Sequence, residues 1–338
     1  MLLPTDYVPP EKGKRHHWLT LPKFAQVQAA CELTKETGSP VLLLATDGND
    51  LHSIEASLTL LAKDDNELQT LILPDRETLP YDHFSPHPDI QSARLRALYE
   101  IQTTSTGIIA CSISALLTRL CPLSHINDNC LLLDKGQILD VNKLKQRLVS
   151  IGYQYRDSVY EHGEFALRGA LLDIYPMGSE LPYRVELFDT EIESLRTFDT
   201  ETQRSISQVD QISIMPAGEI ALDDNGINRF RDNWHSEFLQ DPYHCPLYND
   251  TVKGIASAGI ESWLPMFFDT TATLFDYLPD NTLVIIDNAF EKTAAIFLGE
   301  VEQRYQQHAV DPTRPLMPPG KLYLSTEDVF SLFKDYSR

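Results

Sequence analysis

Side chains able to do acid–base or covalent chemistry occur in this chain, but their spacing does not assemble them. His162-Gly-Glu164 has the His-x-Glu half of a zinc deaminase, and the Pro-Cys-x-x-Cys half is missing. Asp64-Asp65 and Asp223-Asp224 stand in polar turns, where solvation explains paired carboxylates better than proton transfer does. His244-Cys245 is a lone pair in a Pro-flanked loop, and neither a Gly-x-Ser-x-Gly elbow nor His-Glu-x-x-His occurs. A phosphate loop needs Gly-x-x-x-x-Gly-Lys followed by Ser or Thr, because backbone N–H groups cradle the anion and the lysine supplies charge. The two Gly-Lys pairs, Gly13-Lys14 and Gly320-Lys321, run into Arg15 and Leu322, and no Gly-x-Gly-x-x-Gly is present. The five cysteines, Cys31, Cys111, Cys121, Cys130 and Cys245, include no Cys-x-x-Cys, which argues for reduced structural thiols over disulfides or zinc. No catalytic residue, metal or cofactor is expected.

What remains is recognition chemistry. Residues 183–188 alternate with period two, so Tyr183, Val185 and Leu187 share one strand face while Arg184, Glu186 and Phe188 share the other. An aromatic beside an arginine on a charged face has the composition of a protein-binding anchor. Alternatively, Phe188 tucks beneath a neighbouring loop.

This stretch must be carried by a soluble, acidic protein. The 338 residues suffice for two or three cores, and 42% hydrophobic with 23% charged content is ordinary for a globular chain. The net charge, 28 − 49 = −21, repels phosphate backbones and disfavours nonspecific DNA binding. No signal-peptide core is visible, and the longest aliphatic run, residues 41–45, is too short to span a bilayer, so a cytoplasmic location is expected.

Residues 1–17, with Pro4, Pro9, Pro10 and the basic cluster 12–17, read as a loose solvated lead-in. From Trp18 helix and strand alternate: a helix over 22–37 closed by Gly38, a buried strand over 41–46, and a helix capped by Asn49 or Asp50. Strands over 71–73 and 107–112 follow, the latter leading into a helix through Leu116, Leu117 and Leu120. The Pro-rich residues 73–89 form an ordered structural loop before a helix over 90–101. Such alternation predicts a parallel α/β sheet. Over 130–214 the pattern changes to one helix, 141–149, among consecutive strands from 131–133 to 211–214, an α+β arrangement. Beyond Glu219 helices dominate, at 227–239, around 251–256 and over 289–305, with a strand at 282–286. Residues 312–320 look like a linker, and no terminal structure is evident at residues 334–338.

Arg168-Gly-Ala-Leu-Leu-Asp-Ile-Tyr-Pro and Arg184-Val-Glu-Leu-Phe-Asp-Thr-Glu-Ile-Glu-Ser-Leu resemble the partner-binding domain of the excinuclease component UvrB. Leu79-Pro-Tyr-Asp-His-Phe-Ser-Pro-His, Glu161-His-Gly-Glu, Pro176-Met-Gly-Ser-Glu-Leu-Pro-Tyr-Arg and Gly259-Ile-Glu-Ser-Trp-Leu-Pro are closer to the bacterial transcription-repair coupling factors. The resemblance implies an N-terminal, UvrB-like module of a longer protein. Its parts would be a degenerate P-loop, helicase-like parallel-sheet domain over 1–129, an α+β UvrA-binding domain over 130–214, and a further, mainly helical α/β domain with the start of a linker over 215–338. Where UvrB has its P-loop, this chain reads Leu19-Thr-Leu-Pro-Lys-Phe-Ala-Gln, and the aromatic-rich DNA-gripping hairpin has no counterpart. ATP hydrolysis and strand separation are therefore not expected of it.

By the same resemblance the UvrA contacts carry over onto Arg168, Arg184 and Phe188. Glu164, Ala166 and Arg168 share one parity opposite Phe165 and Leu167, so an Arg–Arg–Phe patch results if both strands point these faces the same way. Asp189, Glu191 and Glu193 either supply charge at its rim or lie in a solvated turn. The implied function is recruitment of UvrA to stalled transcription complexes. RNA polymerase and DNA would be reached through absent C-terminal domains, one of which would mask the patch in the full-length protein. The alternative is a residual DNA- or nucleotide-binding module inherited from a helicase.

Overall fold

The computed structural model describes residues 8–18, 21–63 and 68–338. Pro4, Leu19, Thr20 and the Asp64-Asp65 pair lie outside the described residues. The chain is a mixed α/β protein with one parallel sheet and two antiparallel or largely antiparallel ones. Its strands are β1 (Pro40–Ala45), β2 (Thr70–Leu73), β3 (Gly107–Ser112), β4 (Leu131–Asp134), β5 (Gln154–Tyr155), β6 (Glu164–Arg168), β7 (Leu171–Ile174), β8 (Tyr183–Phe188), β9 (Glu191–Phe198), β10 (Ser205–Val209), β11 (Gln211–Ile214) and β12 (Leu283–Ile285).

The first sheet has the order β12-β1-β3-β2 with every pairing parallel. All six residues of β1 and all six of β3 are buried, as expected of strands covered on both faces. Helices Lys23–Thr37 and Gly48–Ala62 pack Val27, Ala30, Ile54 and Leu58 against one face. Leu95 and Leu98 from helix Pro88–Ile101 cover the other, together with Phe290 and Phe333 from the C-terminal third. Residues 283–285 thus complete a sheet begun at residue 40. The first helix ends at Gly38, whose φ of 64° is the left-handed value a C-terminal glycine adopts readily.

The second sheet, β10-β9-β8-β7-β6-β5, is a meander lying over helix Val141–Ser150 and the β4–β11 pair. Phe165, Leu172, Ile174, Val185, Leu187, Ile192 and Leu195 face that core, with Leu144 and Leu148 of the helix opposite them.

Several local expectations are corrected. Asp47, not Asn49 or Asp50, caps the second helix; Asp50 instead accepts from Thr46 and Lys23. The helix after β3 stops at Leu117, because Thr118 is extended and Leu120 pairs with Ala272. The segment expected around 251–256 is a helix over Pro246–Thr251, started by a proline whose missing N–H costs nothing in the first turn. Residues 312–320 are not a linker: Leu316 and Met317 are buried, Trp263 Nε1 donates to the Pro315 carbonyl at 3.0 Å, and Tyr81 Oη to that of Met317 at 3.0 Å. Nor is the end of the chain without structure. Ser325 and Asp328 form a capping box on helix Thr326–Leu332, and Phe333 and Tyr336 pack into the core. The described part of the lead-in is tied down as well, since Gly13 N–H donates to the Tyr336 carbonyl at 3.0 Å and His16 N–H to that of Arg338 at 2.8 Å.

A buried ion cluster ties the segment after β11 to the first layer. Arg94, 1% exposed, donates from Nε to Glu219 Oε1 at 2.7 Å and from Nη1 to the Pro74 carbonyl at 2.6 Å. Arg76 Nη2 reaches Glu219 Oε2 at 2.9 Å. Burial alone would push the Glu219 carboxyl up, but Arg94 and Arg76 outweigh it and hold the carboxyl at about 2. A folded-state value below the unfolded one of about 4.3 means that this stabilisation is present above that pH and drains away as pH falls towards 2. Glu219→Gln should therefore destabilise the fold at pH 7 by about 3 kcal/mol, the scale for breaking a buried pair. The variant should also lose stability less steeply than the parent between about pH 4.3 and about 2, as measured by urea unfolding across that range.

Candidate protein-docking face

The outer face of the second sheet is built in rows. One row is Ala166, Asp173, Arg184 and Arg196 on β6 to β9; the next is Arg168, Leu171, Glu186 and Ser194; the third pairs Phe188 with Glu191 at the hairpin tip. Arg168, Arg184 and Phe188 therefore do share one face, as the parity of the two strands requires. Asp189 sits in the β8–β9 turn with φ of 57°. Glu193 occupies the irregularity where the β8–β9 register shifts between Glu186 and Leu187. Asp189, Glu191 and Glu193 are all exposed.

The side chains on this face are not equally free. Asp173, 1% exposed, accepts from Arg184 Nε at 2.7 Å and Nη2 at 2.9 Å, and from Arg168 Nη2 at 2.5 Å. Arg184 further donates from Nη1 to the Gln203 carbonyl at 3.1 Å and lies over the Phe198 ring, 4.8 Å from its centroid. Its side chain is only 18% exposed, and its hydrogen bonds to Asp173 raise its pKa, so it stays charged. Its planar fork, of the kind that grips partner carboxylates, is thus occupied within the sheet. Arg168, with 49% of its side chain exposed, has most of its donors available, and Phe188 is 74% exposed with no loop above it. Of the two readings of Phe188, burial beneath a neighbouring loop is excluded.

Asp173 is the residue that sequence reasoning missed. Its signal was a lone carboxylate in the buried strand Leu-Leu-Asp-Ile, where a charge persists only when paired. Gln203 was also missed; only its backbone carbonyl meets Arg184, so no side-chain pattern could have revealed it.

The other chemical candidates have structural roles. His162 bridges Asp89 and the Ser179 carbonyl, each at 2.8 Å, and its ring lies tilted with its centroid 3.9 Å from that of Tyr175. Glu164 accepts the N–H groups of Tyr160 and Glu161, shaping the loop before β6. Asp223 caps helix Asp224–Glu237, and His244 lies 3.6 Å from Asp241 in a short turn. Cys31, Cys111, Cys121 and Cys245 are buried, and burial pushes the Cys121 thiol up to about 12. Among the described residues, no group of His, Cys, Asp and Glu is arranged to hold a metal ion, and no helix is long and apolar enough to cross a membrane. A cavity of about 710 Å³ opens beside β12, walled by Trp18, Phe290 and Phe330 with Arg15, Asp287 and Glu291 at its polar side.

Comparison with known proteins bears on the sheet that carries the docking face. Residues 131–219 match the family model of the UvrB interaction domain. The chain therefore contains a UvrB-like interaction module. It is 40% identical over 317 residues to the transcription-repair-coupling factor of Haemophilus influenzae, covering 93% of this chain and 27% of that protein. It is 38% identical over 342 aligned residues to that of Escherichia coli K12, covering 99% and 29% respectively. The Bacillus subtilis factor is 28% identical over 316 residues. Over nearly its whole length the chain is thus similar to part of the transcription-repair-coupling factors. It spans somewhat over a quarter of the length of the curated relatives it matches, 27% and 29% for the first two.

Asp173→Ala would leave the Arg184 fork facing a buried gap. The expected loss of stability lies between the ~1 kcal/mol of an exposed pair and the ~3–5 kcal/mol of a fully buried one, because both arginines retain some access to water. Arg168→Ala should cost under about 1 kcal/mol. Equilibrium urea unfolding of the two variants against the parent gives both values.

Proposed function

We propose that this chain is the UvrA-recruiting module of a transcription-repair coupling factor, binding the excinuclease component UvrA through the outer face of β6 to β9. The observation that carries this reading is Phe188. It is a large aromatic side chain, 74% exposed, on a matched UvrB interaction domain and one row from the half-free Arg168. Aromatic and arginine side chains are the usual energetic centres of protein interfaces. In this reading Arg168 and Phe188 make the direct contacts. Arg184 shapes the face beneath them, while Asp189, Glu191 and Glu193 contribute charge at its edge, where they act more on association rate than on affinity.

The first sheet is read as a helicase-like domain that has lost its phosphate site and hydrolyses no ATP. In support, the helix that would follow a P-loop starts at Lys23, whose Nζ is engaged with Asp50 at 2.9 Å and lies 3.9 Å from Asp287. Translocation on DNA and contact with RNA polymerase are assigned to parts of the full-length protein beyond this module, one of which would cover the docking face until UvrA is needed. A residual DNA- or nucleotide-binding role has less to draw on. The chain carries a net charge of −21, and among the described residues the cavity beside β12 sets Asp287 and Glu291 beside its cations Arg15 and Arg338.

Phe188→Ala should weaken binding to purified UvrA by about 2 kcal/mol, roughly 30-fold, without shifting the unfolding transition, because the ring touches water rather than core. Isothermal titration calorimetry with matched thermal melts checks this. Unchanged affinity in the Phe188 and Arg168 alanine variants would remove the assignment.

A further inference from the structure

The segment between β4 and helix Val141–Ser150 adds a strand-like edge to the docking face. Leu139 N–H donates to the Thr190 carbonyl at 2.7 Å, and Ile192 N–H to that of Gln137 at 2.9 Å. Ile138 and Glu191 are thereby an isolated antiparallel bridge. The flanking residues make its hydrogen bonds, so it is the close kind of pair, with Cα atoms about 4.5 Å apart and both side chains leaving the same face. Glu191 is in turn the register partner of Phe188. Phe188, Glu191 and Ile138 consequently stand in one row across three adjacent backbones.

Both apolar members of this row face solvent, Phe188 at 74% and Ile138 at 77% exposure. The backbone bonds on either side of residue 138 hold whatever its side chain is, so packing does not account for an isoleucine there. Asp189, Glu191 and Glu193 surround the tip, and among the described residues none of them is in an ion pair. The row therefore offers two apolar contacts with an unmatched carboxylate between them. Its complement is a partner surface on which two apolar side chains flank a lysine or arginine.

We propose that Ile138 is a second apolar anchor of the docking face, and that the partner sets a basic residue against Glu191 between the two anchors. This rests on the reading that the face binds UvrA, and it adds a contact from a loop outside the sheet strands. It also predicts a footprint that runs from Arg168 across the hairpin tip to the loop before helix Val141–Ser150.

The test is calorimetric titration of UvrA with the parent chain and with Phe188→Ala, Ile138→Ala and Glu191→Lys. Val310→Ala, at a residue 80% exposed elsewhere on the surface, serves as the control. Ile138→Ala and Glu191→Lys should each weaken binding about tenfold while melting like the parent. The loss in Glu191→Lys should shrink as salt is raised. If the parent and the control bind, Phe188→Ala weakens binding and Ile138→Ala does not, the second anchor is wrong while UvrA recruitment stands. A Glu191→Lys variant that binds as tightly as the parent removes the basic complement. If the parent itself fails to bind UvrA, both readings fall together. Light scattering that shows a dimer of the parent abolished by Ile138→Ala would instead assign the row to self-association and overturn the proposal.

Discussion

A carboxylate with almost no access to water keeps its charge only if cations are brought to it, and Glu219 requires two. Arg94 comes from the helix that covers the parallel sheet, Arg76 from the loop after β2, and Glu219 from the segment following β11. The cluster therefore fixes to the first layer the segment after β11, a strand that packs in the core beneath the meander sheet. Neighbouring contacts follow the same seam. Gly178 N–H donates to Ser92 Oγ at 2.8 Å, Tyr153 Oη to the Met215 carbonyl at 2.8 Å, and His162 holds Asp89. Phe188 and half of Arg168 remain exposed on the outer face of the second sheet.

The same electrostatic rule divides the docking face. At its centre Asp173 is buried and takes up donors of Arg184 and Arg168, so the middle of the sheet is a closed network. Towards the hairpin tip, among the described residues, no ion pair balances the carboxylates, and the large side chains are apolar and exposed. Rigidity and reactivity towards a partner thus occupy different rows of one sheet. A side chain such as Arg184 can matter to binding without offering a single donor to the partner.

Much of this was legible in the chain. Continuous apolar runs marked β1 and β3 as strands covered on both faces, and the two-residue period of β8 placed Phe188 opposite the core-facing residues. Parity also put Arg168, Arg184 and Phe188 on a common face. What parity does not encode is which polar groups a face consumes internally. That depended on Asp173 lying opposite Arg184 in the register, a matter of pairing between strands. Ile138 was invisible for a related reason, since its neighbour in space is fixed by two backbone hydrogen bonds and by no pattern of side chains. The prolines of 312–320 suggested a linker because composition reports backbone restriction and not the aromatic wall, including Trp263 and Tyr81, against which those prolines are laid.

The pairing of β1 with β12 also orders events during synthesis. Val41 lies beside Leu283, a separation of 283 − 41 = 242 residues, whereas the contacts of β6 to β9 are between strands adjacent in the chain. Local pairings close first because they enclose shorter loops. As the chain leaves the ribosome, the meander can form while one edge of β1 still waits for its neighbour. The candidate docking face is complete before the parallel sheet is closed.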